Sequence, residues 1–273
     1  MNEISLKSPA KLNLGLKIGK ARDDGYHLIS SKFQLVDIFD TIKIKKNHQG
    51  KSYYLTSNIQ DEVFIRNNIV NLAVKTLEKE IGKKLNCSIY IKKNIPIGAG
   101  LGGGSSNAAA TLIGINKLFA LRITKRKLQK IGLFIGADVP FFIYGKNAQI
   151  SGIGEVIQKA KSESGKFLII YPNINISTKK MFKMHDDWKN GSISNIELIK
   201  SDNDFETIFK YLHPNIHNFF KNNKYGIKFS LSGSGSAIYT KIQDLTKIKE
   251  FTKEIPRKWR FFIVEGLQYS PLV

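Results

Sequence analysis

Apolar and polar residues alternate along residues 10–18. Leu12, Leu14, Leu16 and Ile18 fall on one side and Lys11, Asn13, Gly15 and Lys17 on the other, which predicts a strand whose polar face carries both Lys11 and Asn13. Strand patterns recur near 29–36, 41–46 and 87–93. Residues 68–79 have helical spacing, with Ile69, Leu72, Ala73, Thr76 and Leu77 on one side. A glycine-rich stretch then opens a helix reaching about Leu118, and a second helix runs from Thr124, a suitable N-cap, to Gly136. The apolar run at 141–144 reads as a strand, GIGE at 152–155 as a turn, and FLIIY at 167–171 as the first strand of a second unit. Residues 186–203 read as a polar surface loop with a short helix, 229–240 as two strands around a Gly/Ser turn, and 261–266 as a last strand. This order predicts two domains, 1–153 and 154–273, the last few residues packing back on the first.

Composition narrows the class. At 273 residues, with 42% hydrophobic and 24% charged residues, the chain suits a soluble globular protein. No segment approaches the ~20 apolar residues of a membrane span, and the alternating N-terminus lacks the apolar centre of a signal peptide, so a cytoplasmic location is expected. A lone cysteine, Cys87, excludes an intramolecular disulfide framework. The formal net charge of +21 would attract polyanions. Only six of the 43 basic residues are arginine, however, and the lysines are scattered, a pattern closer to A+T-driven composition than to specific nucleic-acid recognition.

The chemistry concentrates in residues 96–110, PIGAGLGGGSSNAAA. Glycines let the backbone turn N–H groups toward a ligand, and the helix behind directs its positive dipole end there, so the expected ligand is a phosphate. Gly98, Gly100 and Gly103 satisfy G-x-G-x-x-G, but the preceding strand alternates with lysines and no acid follows to hold a ribose. No G-x-x-x-x-G-K-[ST] occurs, which excludes a P-loop. Between Glu80 and Asp138 there are ten basic residues and no acidic one. Asp138, in GADVPFF, is a helix-cap aspartate or a general base beside a cation, and Lys11 is the candidate partner. Tyr26 and His27 in DGYH are turn packing or a platform for a planar group, and Ser232–Ser236 is an inter-strand turn or a second anion clamp. His213 and His217 lack a third metal ligand and are separated by Pro214. No metal site is assigned.

Taken together, SPAKLNLGL, DGYH, PIGAGLGGGSSNAA, GADVPFF and LSGSGSAIY, followed by GLQYSPL, resemble the ordered motifs of the GHMP small-molecule kinases. The extended GLGGGSS loop and DGYH resemble the branch acting on a cytidyl diphosphate polyol. The resemblance implies an α+β, two-domain fold with an N-terminal ribosomal-protein-like domain and a C-terminal domain built on an antiparallel sheet. It implies ATP and Mg²⁺, with phosphates on Pro96, Ile97, Gly98, Ala99, Gly100, Leu101, Gly102, Gly103, Gly104, Ser105 and Ser106. Ala99 replaces a frequent glycine, which a negative φ would allow. Asp138 would be the base and Lys11 its assistant, with Asn13 positioning the acceptor. Tyr26 and Phe182 would stack on the base, His27 would meet its edge, and Ser232, Gly233, Ser234 and Gly235 would close over the phosphates. Other GHMP acceptors (homoserine, mevalonate or a sugar) and a basic RNA-binding protein of similar topology are the alternatives.

Overall fold

In the computed structural model, which describes residues 1–47 and 53–273, the alternating N-terminal segment forms one long strand, β1 (Glu3–Ala21). It runs antiparallel to β2 (His27–Lys46), so the patterns near 29–36 and 41–46 belong to a single strand. β1 takes one edge of β2. The other edge is shared by β4 (Cys87–Lys92) and β5 (Ala148–Gly152), with β3 (Tyr54–Ser57) parallel to β4 and β6 (Val156–Lys159) antiparallel to β5. The β5 and β6 hairpin thus carries the first sheet past residue 153.

The helices α1 (Glu62–Arg66), α2 (Ile69–Ile81), α3 (Gly103–Leu118), α4 (Lys125–Ile135) and α5 (Val139–Tyr144) accompany this sheet. α3 lies on β1 and β2 and is covered in turn by α2, α4 and α5. That central position explains an apolar surface on every side, from Ala108, Ala109 and Ala110 to Leu112, Ile113 and Ile115. Asn68 and Thr124 cap α2 and α4 through their side chains, and Gly82 ends α2 in the left-handed conformation. Leu272, near the C-terminus, packs into this first core.

The second sheet has the order β10-β7-β9-β8 and is antiparallel throughout: β7 (Lys166–Tyr171), β8 (Ser230–Leu231), β9 (Ile238–Lys241) and β10 (Arg260–Glu265). Helices α6 (Thr178–Lys189), α7 (Phe205–Leu212), α8 (Pro214–Lys221) and α9 (Leu245–Glu254) cover one face. The other face meets β1, β2 and the glycine loop through Leu12, Val36, Ile38, Leu101, Phe167, Ile169 and Tyr239. β7 is continuously apolar because it is buried on both faces: Phe167 and Ile169 point to the inter-sheet core, Leu168 and Ile170 to the helices. The result is an α+β fold with a helical layer outside each of two sheets.

Two expectations change. The run at 141–144 lies in helix α5, opened by Pro140 and closed by Gly145 at φ 73°. Six consecutive apolar residues have no readable period, and the flanking proline and glycine were the better guide. The buried face of α2 is Val70, Ala73, Val74 and Leu77, leaving Leu72 exposed. The helical part of 186–203 is the end of α6, which runs to Lys189.

Glu206 of α7 is partly buried, and its Oε1 accepts the backbone N–H of Leu231 at 2.9 Å, fastening β8 to the helix. Burial raises its pKa, opposed by that hydrogen bond and by the Ser201 hydroxyl. The folded state therefore binds the proton more tightly than the unfolded chain, and the ionised group opposes folding most at high pH. Glu206→Gln, which keeps an acceptor for Leu231, should raise Tm at pH 8 by roughly 2–4 °C, the shift about 1 kcal/mol produces at this size. The gain should vanish as pH falls toward 4.5, the ordinary value for this carboxyl; thermal unfolding across pH checks both.

Candidate active site

A cavity of about 1480 Å³ opens between the glycine loop, β1, the β1–β2 turn and α6. Its floor comes from β1. Although Lys11 and Asn13 occupy the polar side of the alternation, they are 4% and 3% exposed, because the glycine loop covers that side. The Lys11 N–H donates to Leu101 O at 3.0 Å, and Gly102 has no room for a Cβ beside Lys11 and Phe142. The Lys11 ammonium hydrogen-bonds Asn13 Oδ1, stands 4.6 Å over the Phe33 ring and lies 3.4 Å from Asp138 Oδ2. Asn13 Nδ2 donates to Ser31 Oγ at 2.9 Å. Asp138 sits at the N-cap position of α5 but makes no capping hydrogen bond, leaving its partly exposed carboxylate directed at Lys11.

The glycine loop is turned inside out relative to an ordinary loop. The carbonyls of Ala99, Gly100 and Leu101 point into the protein, accepting from Ala237 N–H, Ser232 Oγ and Lys11 N–H. Among the described residues none of the N–H groups from Ile97 to Ser105 has a hydrogen-bond partner. α3 begins at Gly103 without a side-chain cap. A row of free donors and an uncapped helix N-terminus form an anion cradle. Gly98, Gly100 and Gly102 have φ of 68°, 75° and 69°, and Ala99 is not among the non-glycine residues of positive φ. Below the loop, fully buried Asp40 accepts from Asn94 N–H at 2.7 Å, Ile95 N–H at 2.9 Å and the Lys93 ammonium, fixing the loop's entry.

At the other end of the cavity the tight turn before β2 places Tyr26 on the surface, 58% exposed, and buries His27. His27 stacks on Phe182 of α6, with centroids 4.8 Å apart and planes at 17°, and Phe182 meets the Phe205 ring edge-on. Thr178, Phe182 and Asp186, four apart along α6, all line the cavity.

The structure therefore gathers around one cavity Lys11, Asn13, Tyr26, His27, Pro96 through Ser105, Asp138, Phe182, Gly233 and Ser234. Ser106, Ser232 and Gly235 do not line it. Ser106 is buried against the Ser8 hydroxyl, 2.7 Å away; Ser232 and Gly235 face the glycine loop as its supports. Asn203 holds the second loop, its Nδ2 donating to Leu231 O and Gly233 O at 2.8 Å each. Sequence reasoning missed Lys93, Asn107, Thr178 and Asp186 as lining residues. Only the 178, 182, 186 spacing could have signalled any of them. His213, at the junction of α7 and α8, and His217 on α8 lie outside the cavity lining, and no group of three or more His, Cys, Asp or Glu among the described residues could hold a metal.

This fold and cavity define the class of GHMP kinases, and residues 68–146 match the family described as GHMP kinases N terminal domain. A 4-diphosphocytidyl-2-C-methyl-D-erythritol kinase of Polynucleobacter necessarius subsp. necessarius is 35% identical over 99% of this chain and 95% of that protein. One of the same name from Buchnera aphidicola subsp. Schizaphis graminum is 36% identical over 97% of this chain and 94% of the relative. The chain belongs to the 4-diphosphocytidyl-2-C-methyl-D-erythritol kinase family. Among solved structures, a 4-(cytidine 5'-diphospho)-2C-methyl-D-erythritol kinase superposes with TM-score 0.76 at 23% identity, covering 96% of this chain and 99% of that one. A homoserine kinase from Cytophaga hutchinsonii gives 0.70 at 17%, covering 98% and 96%, which marks the shared fold. Among the described residues no helix is long and apolar enough to cross a membrane.

A methyl group at position 100 would stand 2.5 Å from Ser232 O and 2.8 Å from Gly235 O, in a left-handed conformation costing roughly 1–3 kcal/mol. Gly100→Ala should therefore lower Tm and weaken ATP binding together. Gly104→Ala, where a Cβ meets only Ile69 Cγ2 at 3.6 Å, should leave Tm nearly unchanged; thermal unfolding of the pair makes that comparison, and calorimetric titration of the first reads ATP binding.

Proposed function

We propose that this chain transfers the γ-phosphoryl group of ATP to the C2 hydroxyl of 4-diphosphocytidyl-2-C-methyl-D-erythritol, giving the 2-phosphate and ADP in the non-mevalonate route to isoprenoid precursors. Kinship with kinases of that name over nearly the full chain supports the reading. The observation that carries the mechanism is the Lys11 and Asp138 pair, 3.4 Å apart, between an anion cradle and an aromatic pocket.

ATP lies with its phosphates on the N–H groups of the glycine loop and the first turn of α3. The acceptor's cytosine lies by Tyr26, His27 and Phe182, and its polyol reaches Asn13. Asp138 accepts the hydroxyl proton as the oxygen attacks the γ-phosphorus, and the bond to the β,γ-bridging oxygen breaks, releasing ADP. Lys11 supplies positive charge beside the transferring group. Mg²⁺ suits this site as an ion carried on the nucleotide phosphates, because the nearby donors are few and all oxygen, the Asp138 carboxylate and the Ser105 hydroxyl; it would neutralise phosphate charge. The aromatic end of the cavity favours an acceptor carrying a base over homoserine or mevalonate.

An ADP-release assay with the cytidyl erythritol, homoserine and mevalonate should show turnover with the first alone. Activity on either of the others without it would overturn the substrate. In the same assay Asp138→Asn should lower kcat by about 100-fold or more, the scale of general-base catalysis, with ATP affinity little changed. Near-normal turnover in that variant would remove Asp138 from proton transfer.

A further inference from the structure

Resting on the cytidyl reading above, we propose that Asp186 is a specificity-determining positioning residue: it fixes the tautomer of His27 so that the pocket selects an amine-bearing pyrimidine over a carbonyl-bearing one.

Three observations carry this. His27 Nε2 lies 2.7 Å from Asp186 Oδ1, and both residues line the cavity. An ionised carboxylate can only accept, so the proton in that bond belongs to Nε2. In the neutral form of the ring that is its one N–H, and Nδ1 is then a bare acceptor; in the imidazolium both nitrogens donate, so the selection belongs to the neutral form. The ring cannot exchange its nitrogens freely, because it is 8% exposed and lies flat on Phe182. Among the described residues no other group competes for the carboxylate oxygen at hydrogen-bond range. His185, whose Nδ1 is buried without a partner, is 3.8 Å away, and burial lowers its pKa.

The consequence is chemical. Cytosine presents an amino group, a donor, at the position where uracil presents a carbonyl oxygen. A ring acceptor pairs with the first and faces the second lone pair to lone pair. Asp186 therefore acts through His27, on the base and not on the reacting phosphoryl group. It lies on α6 while His27 opens β2, so the selection also ties the two sides of the base pocket together.

Asp186→Asn keeps the shape but not the compulsion, since the amide can accept from Nε2–H or donate to a bare Nε2. Affinity for CDP and UDP is read by calorimetry, and kcat and KM with the cytidyl substrate and its uridyl analogue. The wild-type chain should prefer the cytidine form by about tenfold or more, the worth of one good hydrogen bond set against a mismatch. The variant should bring the two ligands within about threefold, mainly through KM, with kcat on the cytidyl substrate and Tm held. Equal binding of CDP and UDP by the wild type, or an undiminished preference in the variant, overturns the proposal. So does an equal loss on both ligands accompanied by a lower Tm, which is the mark of a structural role. If the wild type fails to phosphorylate the cytidyl substrate, the kinase assignment falls, and the CDP and UDP affinities still decide the role of Asp186.

Discussion

The contact on which the site depends is the approach of two glycine loops with no side chain between them. At Gly100 the backbone comes so close to the Ser232 and Gly235 carbonyls that a single added carbon would stand 2.5 and 2.8 Å from them. Ala237 N–H, Ser232 Oγ and Lys11 N–H take the three successive carbonyls from Ala99 to Leu101. Because each peptide holds its N–H opposite its C=O, tying the carbonyls to the protein leaves the N–H groups for the cavity. The cradle is thus a consequence of how the second loop grips the first. The same grip joins the two sheets, with Ala99, Leu101 and Ala237 in the core between them.

Charge is distributed around that cradle by burial. Lys93 and Lys11 both line the cavity, and each is held by a carboxylate: Lys93 by fully buried Asp40 beneath the loop, Lys11 by Asp138 beside it. The pairs differ in what else satisfies the acid. Asp40 also receives two backbone N–H groups, so its acceptor capacity is spent on structure. Asp138 receives no cap bond and keeps a partly exposed carboxylate, the condition for accepting a proton from a ligand. The acid-free stretch from Glu80 to Asp138 keeps stray negative charge on the chain out of the loop itself.

Most of the site was legible because its residues carry local chemistry. Gly98, Gly100 and Gly102 announce positive φ, Thr124 and Asn68 announce helix starts, and the 10–18 alternation placed Lys11 and Asn13 together. The errors arose where local pattern is degenerate. Residues 141–144 are apolar whether in strand or helix, and residue 72 lies within one step of the buried stripe of α2. Ser232 and Gly235 grip another backbone, and a Gly/Ser turn has the same composition whether it grips a backbone or an anion.

The sequence by itself determined the class of chemistry: a backbone cradle without its own lysine, one acid close after it, and an aromatic and imidazole pair in the first turn. These follow from residue types whose conformations and functional groups need no neighbours to define them. Only the tertiary structure decided that Lys11 and Asp138, 127 positions apart in the chain, stand within 3.4 Å, that Lys11 is buried and not solvated, and that Asp186 holds His27. Such pairings depend on which strand edge meets which helix, a choice made by the packing of three cores and invisible to any window of sequence.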